Sequence, residues 1–182
     1  YLKIYHHVRD YLFTDLEDIR RVCFEGALQA FHNGTCLLEV RTSIKSGHFG
    51  DPKSRHIMEK IKFTPEEEFF AMIDGFEAAK KYCEQKFVVY LVITLRRSDS
   101  VARCLKVVEE AHKLRKIIQN KYGWDYIRGL DIAGHEFGTE NKAKRLIGVF
   151  DHARKQGFKL TAHAGEDKNV GEGGILHCVQ HL

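Results

Sequence analysis

The run Phe87-Val88-Val89-Tyr90-Leu91-Val92-Ile93-Thr94-Leu95 constrains the fold of this chain more than any other stretch. It is almost continuous in apolar and β-branched residues, a pattern typical of strands buried on both faces of a parallel sheet. Similar but shorter strands are predicted at 35–41, 126–132 and 158–163. Helical patterns separate them and no hairpin signals occur, so the chain is predicted to form a parallel α/β sheet, of barrel or doubly wound topology.

The helices are predicted from apolar residues at helical spacing and from capping signals. Thr14 with Glu17 has the form of a capping box, and Thr64 followed by Pro65 and acidic residues is typical of a helix start. The predicted helices cover about 14–33, 64–85, 100–121, 140–156 and 175–182, and the glycines of 171–174 are interpreted as a loose connection. The polar connection 44–62 is either functional or a tolerated insertion.

Composition excludes several classes of protein. With 182 residues, 43% hydrophobic and 30% charged, the chain is expected to be globular, with residues 1–182 in a single domain. The net charge is +4, and the basic residues are interspersed with acidic ones, which argues against a nucleic-acid surface. No apolar run approaches the ~18 residues that would predict a membrane span. The five cysteines form no C-x-x-C motif, and free thiols in the cytoplasm are expected.

Polar and ionisable residues concentrate where the predicted strands end. In parallel α/β proteins the carboxyl ends of the strands hold the ligand, so this clustering indicates an enzyme. The residues at these ends are Arg41, Ser43, Arg96, Arg97, Gly134, His135, Glu136, His163 and Glu166.

His163 and Glu166 are the strongest candidates for chemistry. Neutral imidazole is a good zinc ligand, and a catalytic zinc usually takes three protein ligands and a water. Glu166, three residues further on, could transfer a proton at the same site. A histidine that merely caps a strand, beside a surface glutamate, explains the pattern equally well.

Gly134 could serve a turn or let a backbone N–H meet a flat ligand. Asp131, inside a buried strand, needs a partner or a raised pKa.

Three segments together resemble the adenosine deaminase family: Leu160-Thr161-Ala162-His163-Ala164-Gly165-Glu166, Gly129-Leu130-Asp131-Ile132-Ala133-Gly134-His135-Glu136, and Leu38-Glu39-Val40-Arg41-Thr42-Ser43. The likeness spans roughly residues 14–182. It implies a parallel (β/α)8 TIM barrel with one catalytic Zn²⁺ and hydrolytic deamination of adenosine or a related 6-aminopurine. By the same resemblance His163 is a zinc ligand, Glu166 protonates purine N1 while zinc-bound hydroxide attacks C6, and the backbone N–H of Gly134 contacts purine N3.

The chain also departs from the family pattern. The His-x-His pair of the family's first strand is absent, and His6-His7 does not replace it. His135 stands where the family more often has a small acidic or amide residue. Four strand–helix units fall short of the ~250 residues typical of a closed barrel, and the chain begins with Tyr1 rather than methionine. We therefore expect an internal segment, about strands two to five, that is inactive on its own and holds zinc weakly.

Two other functions are compatible with the sequence. One is a catalytically inactive barrel that acts as a binding or signalling module, and the other is an α/β hydrolase that uses His163 and Glu166 without metal. For the deaminase, the expected partner is a small-molecule purine nucleoside, with no nucleic acid and no membrane. Adenosine, adenine, AMP and N6-modified substrates all fit the pattern.

Overall fold

A computed structural model describes residues 15–44, 63–136, 145–166 and 171–181. The described strands lie in one sheet in the order β1-β2-β3-β4, and β2–β3 and β3–β4 pair in parallel. The predicted alternation of strands and helices is therefore confirmed. The elements are α1 Leu16–His32, β1 Leu37–Thr42, α2 Pro65–Tyr82, β2 Val88–Arg96, α3 Val101–Tyr122, β3 Ile127–Ala133, α4 Ile147–Lys155, β4 Lys159–Leu160 and α5 Gly171–His181.

Some sequence predictions concern residues outside these ranges. They are His6-His7, the connection after residue 44, and the first turn of the helix predicted from residue 140. None of the described helices is both long and apolar enough to cross a bilayer.

The starts of α1 and α2 follow from local capping chemistry, with one correction. The cap of α1 is Asp15, whose carboxylate accepts the N–H of Glu17, so the prediction of Thr14 was wrong by one residue. Aspartate is as good a cap as threonine, and Asp15 has the extended backbone that a cap requires. The capping box of α2 is confirmed, since Thr64 and Glu67 bond to each other's backbone N–H groups.

Backbone contacts divide the described residues into two compact units. The first contains 15–39 and 63–89, and in it α1 packs against α2. Phe31 meets Phe87 edge to face, with 6.2 Å between ring centroids. Burial of large apolar side chains such as Phe69, Ile73 and Phe76 makes this unit's core.

The second unit contains the described residues from 40 to 44 and from 90 onward. On β2, Leu91, Val92, Ile93 and Leu95 are all buried, which confirms the prediction of a strand covered on both faces. Helices α3 and α4 contact each other, and α4 contacts β4. The assignment of residues 1–182 to one domain stays a prediction.

The carboxyl-terminal elements differ from their predictions. The strand expected over 158–163 is assigned only at Lys159–Leu160, although Thr161 and His163 still donate backbone hydrogen bonds to Leu130 and Ile132 of β3. Helix α5 begins at Gly171 rather than near residue 175, so the glycines taken for a connection are helical. Glycine's low helix propensity is a weak local preference that packing can override. Here α5 packs through Ile175, which lies against Gly165.

Candidate active site

A histidine and a buried carboxylate meet at the carboxyl edge of the sheet. Asp131 lies on β3 and its side chain is 0% exposed, while His163 follows β4. The N–H of His163 donates to the carbonyl of Ile132 at 2.9 Å, which sets the register of the two segments. The Nδ1 atom of His163 then lies 2.7 Å from Oδ2 of Asp131. The sequence predicted a partner or a raised pKa for Asp131, and this imidazole is one such partner.

The charge of Asp131 is compensated from two sides. Burial raises the pKa of Asp131 above its usual value, while the charges of His163 and Arg41 act in the opposite direction. Nε of Arg41, near the end of β1, lies 3.5 Å from the same carboxylate oxygen. Hydrogen bonds from the His163 side chain and the Ile132 backbone also lower the pKa of Asp131.

Among the described residues, His163 has the surroundings of a zinc ligand. Nδ1 of His163 faces Asp131, which leaves Nε2 available to a ligand. Metal-binding histidines commonly have a carboxylate at the nitrogen that does not bind the metal. A catalytic zinc needs two more protein ligands. The part of the chain that the structure describes contains no group of three or more His, Cys, Asp or Glu side chains arranged to hold a metal.

A second carboxylate holds the backbone that follows His163. Glu136, just beyond β3, is 4% exposed. Its Oε1 accepts the N–H of Gly165 at 3.0 Å, and its Oε2 accepts the N–H of Glu166 at 2.7 Å. The guanidinium of Arg97, just beyond β2 and also 4% exposed, donates to the carbonyl of His163. It also lies 3.6 Å from Glu136.

The structure brings all three predicted site residues to this edge. Gly134 adjoins Arg97, His163 contacts Arg97 and Asp131, and the backbone of Glu166 is held by Glu136. The side chain of Glu166 is exposed. Gly134 has φ +112°, and a Cβ there would come no closer than 3.7 Å to Arg97, so its backbone conformation rather than crowding calls for glycine. The roles of these three residues stay predictions.

Sequence reasoning placed Arg97 and Glu136 at strand ends but gave neither a role. The available signal was a charged residue within three positions of the end of each of two buried strands. That signal does not say which backbone groups the side chains reach, because their partners lie 29 to 66 residues away along the chain.

Comparison with known proteins assigns the chain to a class. It matches the adenosine deaminase family over residues 1–182, and an adenosine deaminase of Serratia proteamaculans is 29% identical over 154 residues. Arabidopsis ADAL complexed with GMP superimposes with a TM-score of 0.67 at 17% identity. A Burkholderia ambifaria amidohydrolase with bound Zn superimposes with a TM-score of 0.64 at 19% identity. The predicted fold class, four βα units of the parallel (β/α)8 type, is confirmed by these likenesses. The chain belongs to the adenosine deaminase family.

The chain spans less than half the length of these relatives. The match covers 84% of the chain and 39% of the Serratia deaminase. It covers 98% of the chain and 47% of the Arabidopsis protein, and 87% of the chain and 38% of the Burkholderia protein.

Proposed function

We propose that the protein hydrolytically deaminates adenosine or a related 6-aminopurine with the help of one zinc ion. The observation that carries this proposal is the contact of His163 with buried Asp131, with Glu166 three residues further along the same edge. Membership of the adenosine deaminase family gives the reaction class. Hydrolysis of an amino group needs a metal ligand and a nearby proton donor, and His163 and Glu166 are suited to these two roles.

In this proposal His163 would hold the zinc, and Asp131 would keep the ring oriented and its second nitrogen electron-rich. Bound zinc would supply an activated water at neutral pH. The remaining ligands would come from outside the described residues, which contain no group of three or more His, Cys, Asp or Glu side chains placed to hold a metal.

Glu166 is proposed as the acid that protonates purine N1, which makes C6 more electrophilic. Its side chain is exposed at the strand edge, where a substrate can reach it, while its backbone is fixed by Glu136. Gly134 is proposed to bind the substrate, with its backbone N–H directed at purine N3. The absence of a side chain at Gly134 leaves room for a flat ring against the backbone.

The substrate class is proposed from the relatives. The Serratia relative is an adenosine deaminase, and the Arabidopsis structure holds a purine nucleotide, GMP. Both are purine compounds, and the Burkholderia structure with zinc supports the metal. The described cysteines are free thiols, which supports a reducing compartment such as the cytoplasm.

The test is a substrate panel on the full natural protein. Adenosine, adenine, AMP and N6-methyl-AMP are each incubated with the purified protein, and the deaminated purine and the released amine are quantified together with bound zinc. We expect turnover of at least one of them, lost on chelation and restored by zinc. A zinc-free protein that binds purines without turnover would instead establish a binding module.

A further inference from the structure

One buried ion pair at the carboxyl edge has no part in the chemistry proposed above. Arg97 and Glu136 are each 4% exposed, and Nη2 of Arg97 lies 3.6 Å from Oε1 of Glu136. Removing two charges from water is costly, and replacing such a pair by apolar residues is often neutral or stabilising. Stability alone is thus a weak reason for its presence.

Both partners of the pair contact the backbone of a single four-residue segment. Glu136 accepts the successive N–H groups of Gly165 and Glu166, one on each carboxylate oxygen. Arg97 donates to the carbonyl of His163 at the other end of the segment. Three backbone groups within 163–166 are therefore held by one ion pair, through hydrogen bonds that charge makes shorter and stronger than neutral ones.

The conformation of Gly165 makes this arrangement possible. Its φ of +79° is unfavourable for residues with a Cβ, and a Cβ there would also lie 2.7 Å from Cδ1 of Ile175. With that backbone the two neighbouring N–H groups converge on one carboxylate.

We propose that Glu136 and Arg97 are positioning residues that fix the backbone of 163–166, and through it the side chains of His163 and Glu166. The catalytic consequence rests on the proposed function, in which these side chains bind zinc and donate a proton. Catalytic groups need placement within about 0.5 Å, and a misplacement of about 1 Å can cost a factor of about 100 in rate. The N–H of His163 still pairs with Ile132 of β3, whereas the carbonyl of His163 and the N–H groups of Gly165 and Glu166 are held by the ion pair.

The test uses Glu136→Gln in the full natural protein. Glutamine fills the same volume but offers one acceptor in place of two, turns its NH₂ toward a donor, and removes the charge that faces Arg97. The matched control is Asp125→Asn. Asp125 precedes β3 and pairs with Arg115 at 2.6 Å, so this variant removes a partly buried ion pair at the opposite end of the same strand.

Two measurements are made on each variant. The first is amide hydrogen exchange of the peptide containing Gly165 and Glu166, which does not depend on activity. We expect at least about tenfold faster exchange in Glu136→Gln and wild-type exchange in Asp125→Asn. The second is turnover, where kcat should fall about 10- to 100-fold in Glu136→Gln with KM within about threefold of wild type. Asp125→Asn should keep its kcat.

Unchanged exchange in Glu136→Gln overturns the proposal, and so does equal acceleration in Glu136→Gln and Asp125→Asn, because general loosening would explain it. Faster exchange without any loss of kcat overturns the catalytic consequence. If the wild-type protein turns over none of the purines, the proposed function fails, while exchange still decides whether the pair holds the segment.

If Glu136→Gln does not fold, Arg97→Lys takes its place. Lysine keeps the charge, but its side chain is shorter than that of Arg97, whose Nη2 contacts both the His163 carbonyl and Glu136. The same acceleration of exchange at 163–166 is expected, and its absence in a folded Arg97→Lys protein overturns the proposal.

Discussion

The Nδ1 atom of His163 lies 2.7 Å from Oδ2 of Asp131, and this carboxylate is fully buried. The two residues belong to neighbouring strand ends, so the contact depends on the register of β3 against the segment after β4. A carboxylate facing one ring nitrogen fixes the orientation of the imidazole and increases the basicity of the other nitrogen. His163 is thus oriented by the fold itself, before any ligand binds.

Replacing Asp131 by asparagine should weaken that orientation while keeping the shape of the side chain. Asp131→Asn removes the charge opposite His163 and Arg41. We expect zinc affinity or turnover of the full protein to fall by about 10- to 100-fold, measured by competition with a chelator and by initial rates. Asp151→Asn, which affects an exposed pair with Arg154 on α4, is the control and should change neither. Unaltered zinc affinity and rate in Asp131→Asn would contradict the role of the contact.

Replacing Glu166 by glutamine should separate the proposed proton transfer from the proposed metal binding. The backbone contacts to Glu136 do not involve the side chain of residue 166, so the fold and the zinc content should persist in Glu166→Gln. Turnover should fall by about 10²- to 10⁴-fold, the usual contribution of a general acid.

The control for this variant is Glu25→Gln on the exposed side of α1, which removes a surface pair with Arg21. A loss of less than about threefold in Glu166→Gln would remove Glu166 from the mechanism. Loss of zinc together with activity would assign it a structural role instead.

The sequence predicted those features that local chemistry determines. The capping box at Thr64 and Glu67 and the strand buried on both faces at Val88–Arg96 follow from side chains close together in the chain, and both are confirmed. Glycine's local preference misled the prediction for Gly171, where helix α5 begins. The cap of α1 was missed because Thr14 and Asp15 are both good caps and only the backbone distinguishes them.

The candidate site shows where sequence reasoning stops. It identified His163, Glu166 and Gly134 by position and recognised that Asp131 required a partner. It could not identify that partner, because the 2.7 Å contact arises only when β3 and β4 align. The same holds for Glu136, whose bonds to Gly165 and Glu166 span about thirty residues of chain.

The stability of the protein should depend on the protonation of His112 on α3. Burial lowers the pKa of His112 below its usual value of 6.5, and nearby Lys116 acts in the same direction while Glu109 opposes it. At pH values between the folded and the unfolded pKa of His112, the unfolded chain binds more protons than the folded protein. The contribution of His112 to stability is therefore complete above about pH 6.5 and is lost as the pH falls.

We therefore expect the loss of stability between about pH 7.5 and pH 5 to be smaller in His112→Gln than in the wild type. Urea unfolding at several pH values measures it. His32→Gln, at the exposed end of α1, is the control for histidine in general. An identical pH dependence in wild type and His112→Gln would show that burial of this ring does not penalise its charge.

Two glycines on packed helices should respond to alanine in opposite directions. A Cβ added at Gly75 of α2 would lie 2.3 Å from the carbonyl oxygen of Arg20 on α1, whereas one added at Gly26 of α1 would meet nothing within 4 Å. Alanine has the higher helix propensity by about 1 kcal/mol, so Gly26→Ala should stabilise the protein by up to that amount. Gly75→Ala should instead destabilise it by about 1–3 kcal/mol, because the helices must separate. Denaturant unfolding of both variants checks this. A Gly75→Ala protein as stable as Gly26→Ala would mean that α1 and α2 do not approach as closely as the structure shows.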